Sequence, residues 1–312
     1  MDAVHQNGQG QVSQAPAVVW TGTSRLIDRI ERVDLRVQDV DRALGFYQGV
    51  VGLEVAERGP ASASLAPPGG PVILTVDSTG VTAPAPRAAT GLFHTAIRFP
   101  DRSSLGDALA RLAQARLEIG GGDHAVSEAL YIDDPDGNGV ELYRDRPRTE
   151  WPAPTQDARV PMTTERVDFE GLLDAGRGLD AVGDEAPAAT DIGHVHFKVS
   201  DHRATRAFYA DVLGLDLVAD LGSAGFYSSG GYHHHVAGNT WQSLGALPAP
   251  PTRAGLERVV FRVTDRGELD ALRARLEAAG RAFGGSGEEV VVHDPDGIEL
   301  RFTSASGGGA AR

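Results

Sequence analysis

Residues 30–37 (IERVDLRV), 92–99 (LFHTAIRF), 192–199 (IGHVHFKV) and 256–263 (LERVVFRV) are four versions of one alternating strand, and each is followed by a helix pattern. Copies 1 and 3 share a close match in that helix, DRALGFYQGVVGLEV (41–55) against RATRAFYADVLGLDL (203–217). Copies 2 and 4 share an ending instead, DPDGNGVELY (134–143) against DPDGIELRF (294–302). Apolar residues at helical spacing predict helices over 40–51, 104–115, 202–213 and 267–279. Pro67-Pro68-Gly69-Gly70, Gly230-Gly231 and the two DPDG turns punctuate the strands. Each copy therefore reads as a strand, a helix, then two or three strands. At the third position of the opening strand the copies carry Arg32, His94, His194 and Arg258.

The 312 residues suffice for two domains of ordinary size. With 41% hydrophobic and 23% charged residues the chain is that of a soluble globular protein. A net charge of −14, without blocks of like charge, makes nucleic acid and anionic membrane poor partners. The absence of cysteine excludes disulfides and thiolate sites, so a metal must sit on His, Asp or Glu. The N-terminus lacks the charged start and apolar run of a signal peptide, and no stretch reaches the roughly 20 apolar residues of a membrane span. A cytoplasmic protein is expected. The organisation expected is a disordered tail at 1–25, a first domain of copies 1 and 2 at 26–150, and a Pro/Ala/Asp/Gly-rich connector at 151–188. Copies 3 and 4 then form a second domain at 189–304, before a disordered tail at 305–312. Within the connector, ERVDFEGLLDA (165–175) reads as a strand followed by a helical turn.

Successive side chains on a strand point to opposite sides. In copy 3, Val195, Phe197 and Val199 form the face that packs on the helix, leaving His194, His196 and Lys198 on the other. In copy 2, Phe93, Thr95, Ile97 and Phe99 form the helix face, with His94 and Arg98 opposite. Glu141 and Tyr143 lie opposite Val140 and Leu142. His94, Glu141 and His194 would thus point into one concave interior. Two imidazoles and a carboxylate with open positions suit non-haem Fe(II) that binds both a substrate and O2. Copies 1 and 4 put Arg32 and Arg258 at the His positions, and guanidinium has no lone pair to offer a metal. With Asp34, Arg36, Arg262, Glu299 and Arg301 on the same faces, they predict an ion-paired interior, and Glu299 a relic of the shared unit.

The four copies resemble the βαβββ modules of the vicinal oxygen chelate superfamily (the glyoxalase, bleomycin-resistance and extradiol dioxygenase fold) from residue 30 to 302. That resemblance implies an α+β fold in which four βαβββ modules form two open-barrel units. GLFHTAIRFP (91–100), GGDHAVSEALYIDDPDGNGVELYRDRP (121–147), IGHVHFKVSD (192–201) and GGYHHHVAGNTW (230–241) together resemble the catechol 2,3-dioxygenase branch. A DPDGN-x-x-E piece alone is weak, whereas the four segments in this order are specific. The resemblance implies Fe(II), or Mn(II), held by His94, Glu141 and His194, and insertion of both atoms of O2 into a small aromatic diol. It implies that His234, with His233 and His235 as alternatives, moves the diol proton. Tyr131 would then bond the substrate, and His124 would stand beside it. A homo-oligomer is also implied.

The set requires modules to pair as 1 with 4 and 2 with 3. Pairing within halves would give His194, one of His233–His235 and Glu299 instead. The first pairing is preferred, since it alone joins two opening-strand histidines to a carboxylate. His196 is expected to support the ligands from behind, and Trp241, Phe226 and Tyr227 to line the pocket. His5 and His202 are expected in solvent and His293 in a structural place beside its turn. Two other readings stay open: a metal-dependent glyoxalase-like isomerase or lyase, which needs a fourth protein ligand, and a non-catalytic drug- or metabolite-binding module.

Overall fold

A computed structural model of the chain describes residues 20–179 and 185–304. Module 1 comprises β1 (Ile27–Arg36), α1 (Val40–Phe46), β2 (Glu54–Arg58), β3 (Ser62–Ala66) and β4 (Leu74–Asp77). Module 2 follows with β5 (Gly91–Arg98), α2 (Arg102–Gln114), β6 (Gly120–Asp123), β7 (Ser127–Asp133) and β8 (Gly139–Asp145). The connector carries α3 (Phe169–Ala175). Module 3 comprises β9 (Asp191–Lys198), α4 (His202–Arg206), β10 (Asp216–Asp220), β11 (Ala224–Ser228) and β12 (Val236–Asn239). Module 4 comprises β13 (Gly255–Val263), α5 (Arg266–Ala278), β14 (Phe283–Gly284), β15 (Glu289–His293) and β16 (Glu299–Thr303). The fold is α+β, built from duplicated modules on one sheet that does not close. No helix among the described residues is long and apolar enough to cross a membrane.

Within every module the opening strand runs parallel to the last strand, as β1 with β4, β5 with β8, β9 with β12 and β13 with β16. Between modules the opening strands pair antiparallel, β1 with β13 and β5 with β9. Modules therefore associate as 1 with 4 and 2 with 3, and a single Ile30–Ile192 pairing of β1 with β9 joins the two pairs. That is the preferred pairing of the two, and it removes the alternative built on Glu299.

The repeated helices start where an aspartate stands ready to cap them. Asp39, Asp101, Asp201 and Asp265 each accept from backbone N–H groups of the first turn of α1, α2, α4 and α5. The helices expected over 40–51 and 202–213 are α-helical only for their first turns. They widen to π geometry at Tyr47–Val51 and at Ala207–Val212, which turns Tyr47 and Tyr209 inward. The reason lies in the DPDG turns. Tyr47 donates to Asp134 and Tyr209 to Asp294, each at 3.1 Å. The backbone at Gln38 and Ser200 donates to Asp136 and Asp296. The motif shared by copies 1 and 3 is thus bound to the motif shared by copies 2 and 4.

Three readings need correction. Residues 165–175 make only a single bridge, Asp123 with Glu165, before α3 rather than a strand. Phe93 does not lie on the helix face: the ladder between β5 and β9 shifts between Leu92/Phe197 and His94/His196. A bulge places two residues of one strand against one of its partner, so Phe93 joins His94 and packs near the rings of His196 and Trp241. Tyr227 is fully buried and stacks on Tyr209 at 5.3 Å, which puts it in the helix-side core. Of the expected tails, 1–19 and 305–312 lie outside the described residues. Residues 23 and 24 bond Asp216 through their backbone N–H groups at 2.8 Å.

Burial pushes the Asp294 carboxyl up to about 7. A carboxyl raised in the folded state is more protonated there than in the unfolded chain. The stability it contributes is complete below the ordinary aspartate value and is lost as pH rises through about 7. In Asp294→Asn the amide keeps one acceptor and one donor and does not titrate. The fall in melting temperature between pH 4 and pH 7 is expected to be smaller in this variant than in the native protein, as read by paired thermal melts.

Candidate active site

Four neighbouring strands place one row of side chains on the concave face. His194 on β9 is level with Ala96 on β5, Ala96 with Glu141 on β8, and Glu141 with Tyr131 on β7. Ala96 decides the geometry. Its side chain is only a methyl, so His194 and Glu141 meet over it, with His194 Nε2 3.0 Å from Glu141 Oε2. His94, two residues back along β5, brings its Nε2 to 3.0 Å of the same oxygen. One ligand atom from each residue lies within 4.8 Å of the others, and all three residues are buried.

His94 Nε2 is close to Glu141 yet has no hydrogen-bond partner, and such a buried orphan is costly. Burial opposes ionisation of Glu141, but His194 and His94 beside it hold its carboxyl well below the usual range. Burial also pulls His194 down to about 4, against the attraction of Glu141. At neutral pH the set therefore presents a carboxylate and a neutral imidazole, the forms that bind metal. The two nitrogens and one oxygen fit a divalent metal with positions left open.

His233, His234 and His235 divide the surroundings of this set among them. His234 packs with its ring 4.1 Å from that of His194. His233 is hydrogen-bonded on both nitrogens, to His234 Nδ1 at 2.8 Å and to Asp145 Oδ1 at 2.9 Å. His194, His233 and His234 also converge closely enough for a metal, but there both nitrogens of His233 are already engaged. His235 turns away, and its Nδ1 accepts from the Ser229 backbone. Burial brings His235 down to about 3.

Tyr131 lies near His94, with ring centroids 5.7 Å apart, and bonds His124 Nε2 at 2.7 Å. His124 Nδ1 is 2.7 Å from the Thr163 carbonyl. A carbonyl only accepts, so His124 donates from Nδ1, and its Nε2 is held against the Tyr131 hydroxyl. Burial, and then Glu141, push the Tyr131 hydroxyl well above its ordinary value, so it stays protonated. His196 is met by the Asn239 side chain at 2.9 Å and belongs to neither convergent set. Phe226 packs 5.1 Å from His234, and Trp241 packs 5.7 Å from His196 while remaining half exposed. Beside Phe93, His94 and Tyr131 lies an open cavity of about 570 Å³, within the usual range for small-molecule sites.

Two outlying histidines differ from expectation. His202 is not free in solvent but bonds Asp220 at 2.8 Å, whereas His293 is largely exposed and only 3.9 Å from Glu299. His5 lies outside the described residues. Sequence reading passed over Ala96, Asp145, Tyr232 and Gly193. Gly193 is legible only in three dimensions, because a Cβ there would strike the Tyr143 hydroxyl on its way to Tyr232.

In modules 1 and 4 the equivalent positions hold Arg32, Arg258 and Glu299. Arg258 Nε lies 3.2 Å from Glu299 and 3.7 Å from Asp34, and Arg32 and Arg301 bond Asp34 and Glu299. This is the ion-paired interior anticipated from guanidinium chemistry.

Comparison with known proteins matches residues 29–142 and 191–302 to the family described as the Glyoxalase/Bleomycin resistance protein/Dioxygenase superfamily. A protein of Bacillus subtilis (strain 168) named catechol-2,3-dioxygenase is 42% identical over 268 residues, which cover 84% of this chain and 92% of that protein. A solved structure from the same species has a TM-score of 0.62 at 14% identity, covering 90% of this chain and 86% of the other. Glyoxalase I from Zea mays gives a TM-score of 0.51 at 16% identity, covering 88% and 92%. The two structural likenesses speak for the fold alone.

Enlarging Ala96 tests the crossing of His194 and Glu141. Ala96→Val is expected to lower metal affinity by roughly 10–100-fold, the usual cost of disturbing a ligand's surroundings. Metal titration followed by elemental analysis reads the affinity, and circular dichroism should stay native.

Proposed function

The chain belongs to the Glyoxalase/Bleomycin resistance protein/Dioxygenase superfamily, and from that premise we propose that it is an extradiol ring-cleaving dioxygenase acting on a catechol-type aromatic diol. The observation that carries this reading is the convergence of His94 Nε2, His194 Nε2 and Glu141 Oε2 in a buried setting. The similarity to a catechol-2,3-dioxygenase over most of both chains supports it.

His94, Glu141 and His194 would hold Fe(II), with Mn(II) as the other candidate. When bound, that metal supplies open positions for two diol oxygens and O2, and a path for electrons between them. The remaining work falls to the protein. The cavity beside Phe93, with Trp241 and Phe226 near by, offers aromatic surface to a flat ring. His234, buried and packed on His194, is the base for a diol proton. Burial and the neighbouring His194 and His233 keep its imidazole well below its ordinary value, so it enters neutral. The Tyr131 hydroxyl, held by His124, bonds a substrate oxygen. A small aromatic diol and O2 are the partners this arrangement serves, in the cytoplasm.

The test is O2 uptake with catechol after anaerobic loading with Fe(II) or Mn(II), together with absorbance of a ring-opened product. The native protein is expected to take up O2 and form the product. His194→Ala should lose both metal and activity. His234→Gln should keep its metal and lose on the order of 10²–10⁴ in kcat, the usual worth of a positioned acid–base group. Stoichiometric metal without uptake of O2 would overturn the reading.

A further inference from the structure

Asp145, at the end of β8, lies behind the His233–His234 pair and gathers donors. Tyr232 donates to it at 2.9 and 3.1 Å, Arg98 pairs with it at 3.1 Å, and His233 Nε2 stands 2.9 Å from it. Tyr143, 2.7 Å from the Tyr232 oxygen, donates there in turn, because Tyr232 spends its one hydrogen on Asp145. Arg98 is itself anchored on Asp191 through two hydrogen bonds. His233 is 1% exposed, so its contacts are made within the protein.

A carboxylate can only accept, so the His233 contact requires a proton on Nε2. A neutral imidazole carries one proton, which leaves a lone pair on His233 Nδ1. His234 Nδ1 lies 2.8 Å from that lone pair and must therefore be the donor. With its proton on Nδ1, His234 has an unprotonated Nε2. Arg98 pairs with Asp145 and Tyr232 donates to it, so the carboxylate has charge and hydrogen-bond partners besides His233.

We propose that Asp145 and His233 are positioning residues, a hydrogen-bonded relay that holds His234 in its Nδ1–H form and so leaves Nε2 as a base beside His194. The use made of that base rests on the dioxygenase reading, but the tautomer does not. Orientation of a base by a partly buried carboxylate follows the logic of serine protease triads, here lengthened by one imidazole. Tyr143, Tyr232 and Arg98 would fix the carboxylate, and Gly193 leaves room for Tyr143.

The experiment is long-range 1H–15N correlation on metal-free, 15N-histidine-labelled protein, with His234 and His233 assigned by the signals missing from His234→Gln and His233→Gln. The expected result is His233 protonated on Nε2 and His234 on Nδ1. Asp145→Asn keeps the shape of the side chain but can present an N–H to His233, which reverses the relay. His234 is then expected to shift toward Nε2–H, with the melting temperature and metal stoichiometry near native. In the metal-loaded enzyme, catechol turnover by Asp145→Asn should show kcat lowered by roughly 10²-fold with little change in KM. His233→Phe, which removes the acceptor, should give a mixed His234 tautomer and serves as a second variant if Asp145→Asn misfolds. His234 found as Nε2–H in the native protein, or unchanged in a folded variant, would overturn the proposal even if O2 uptake is normal. The expected tautomers and their reversal, in a protein that takes up no O2, would uphold the relay and sink the dioxygenase reading.

Discussion

The antiparallel pairing of β5 with β9 is the constraint on which the site depends. These two opening strands come from different halves of the chain, and each carries a histidine on its concave face. Their register sets His194 opposite Ala96, and the parallel pairing of β5 with β8 sets Glu141 on the other side of the same alanine. A strand spacing of about 4.8 Å would keep residues two strands apart from touching through short side chains. Histidine and glutamate are long enough to lean over a methyl and meet. Slipping the register by one residue would turn every one of these groups to the opposite face.

The other module pair shows the same scaffold with different chemistry. Arg32 and Arg258 stand where the histidines would be, and Glu299 where Glu141 would be. Arginine brings its own positive charge, so Asp34 and Glu299 are neutralised by guanidinium groups in the interior. The halves are bound to one another through sheet pairing, and the two modules within each half through Tyr–Asp contacts. Tyr47 on Asp134 and Tyr209 on Asp294 join module 1 to 2 and module 3 to 4. Each half thus contributes to both module pairs, and neither site interior is built from one half alone.

Much of this was readable because repeats constrain one another. Four opening strands with one alternation showed which face each histidine takes, and the contrast of His with Arg showed which module pair can hold a metal. The preference for pairing module 2 with module 3 followed from donor chemistry. Phe93 shows the limit of such reading. Strict alternation assigns it to the helix face, but the bulge beside it moves it to the site, where Gly139 leaves room for its backbone. Tyr227 shows the same limit, since nearness in sequence to the histidine run did not place it in the pocket.

The order of the three histidines was decided entirely in space. Sequence offers His233, His234 and His235 as equals. Only the approach of Asp145 from β8 to β12's leading loop gives His233 its carboxylate, leaves His234 against His194 and turns His235 to the Ser229 backbone. By itself the sequence determined the module, its four copies and the residue types available as ligands, because alternation and turn chemistry are local. Tertiary structure decided which copies meet, which small residue lets the ligands cross and which histidine is oriented by a carboxylate, because those depend on strand register between segments about 100 residues apart.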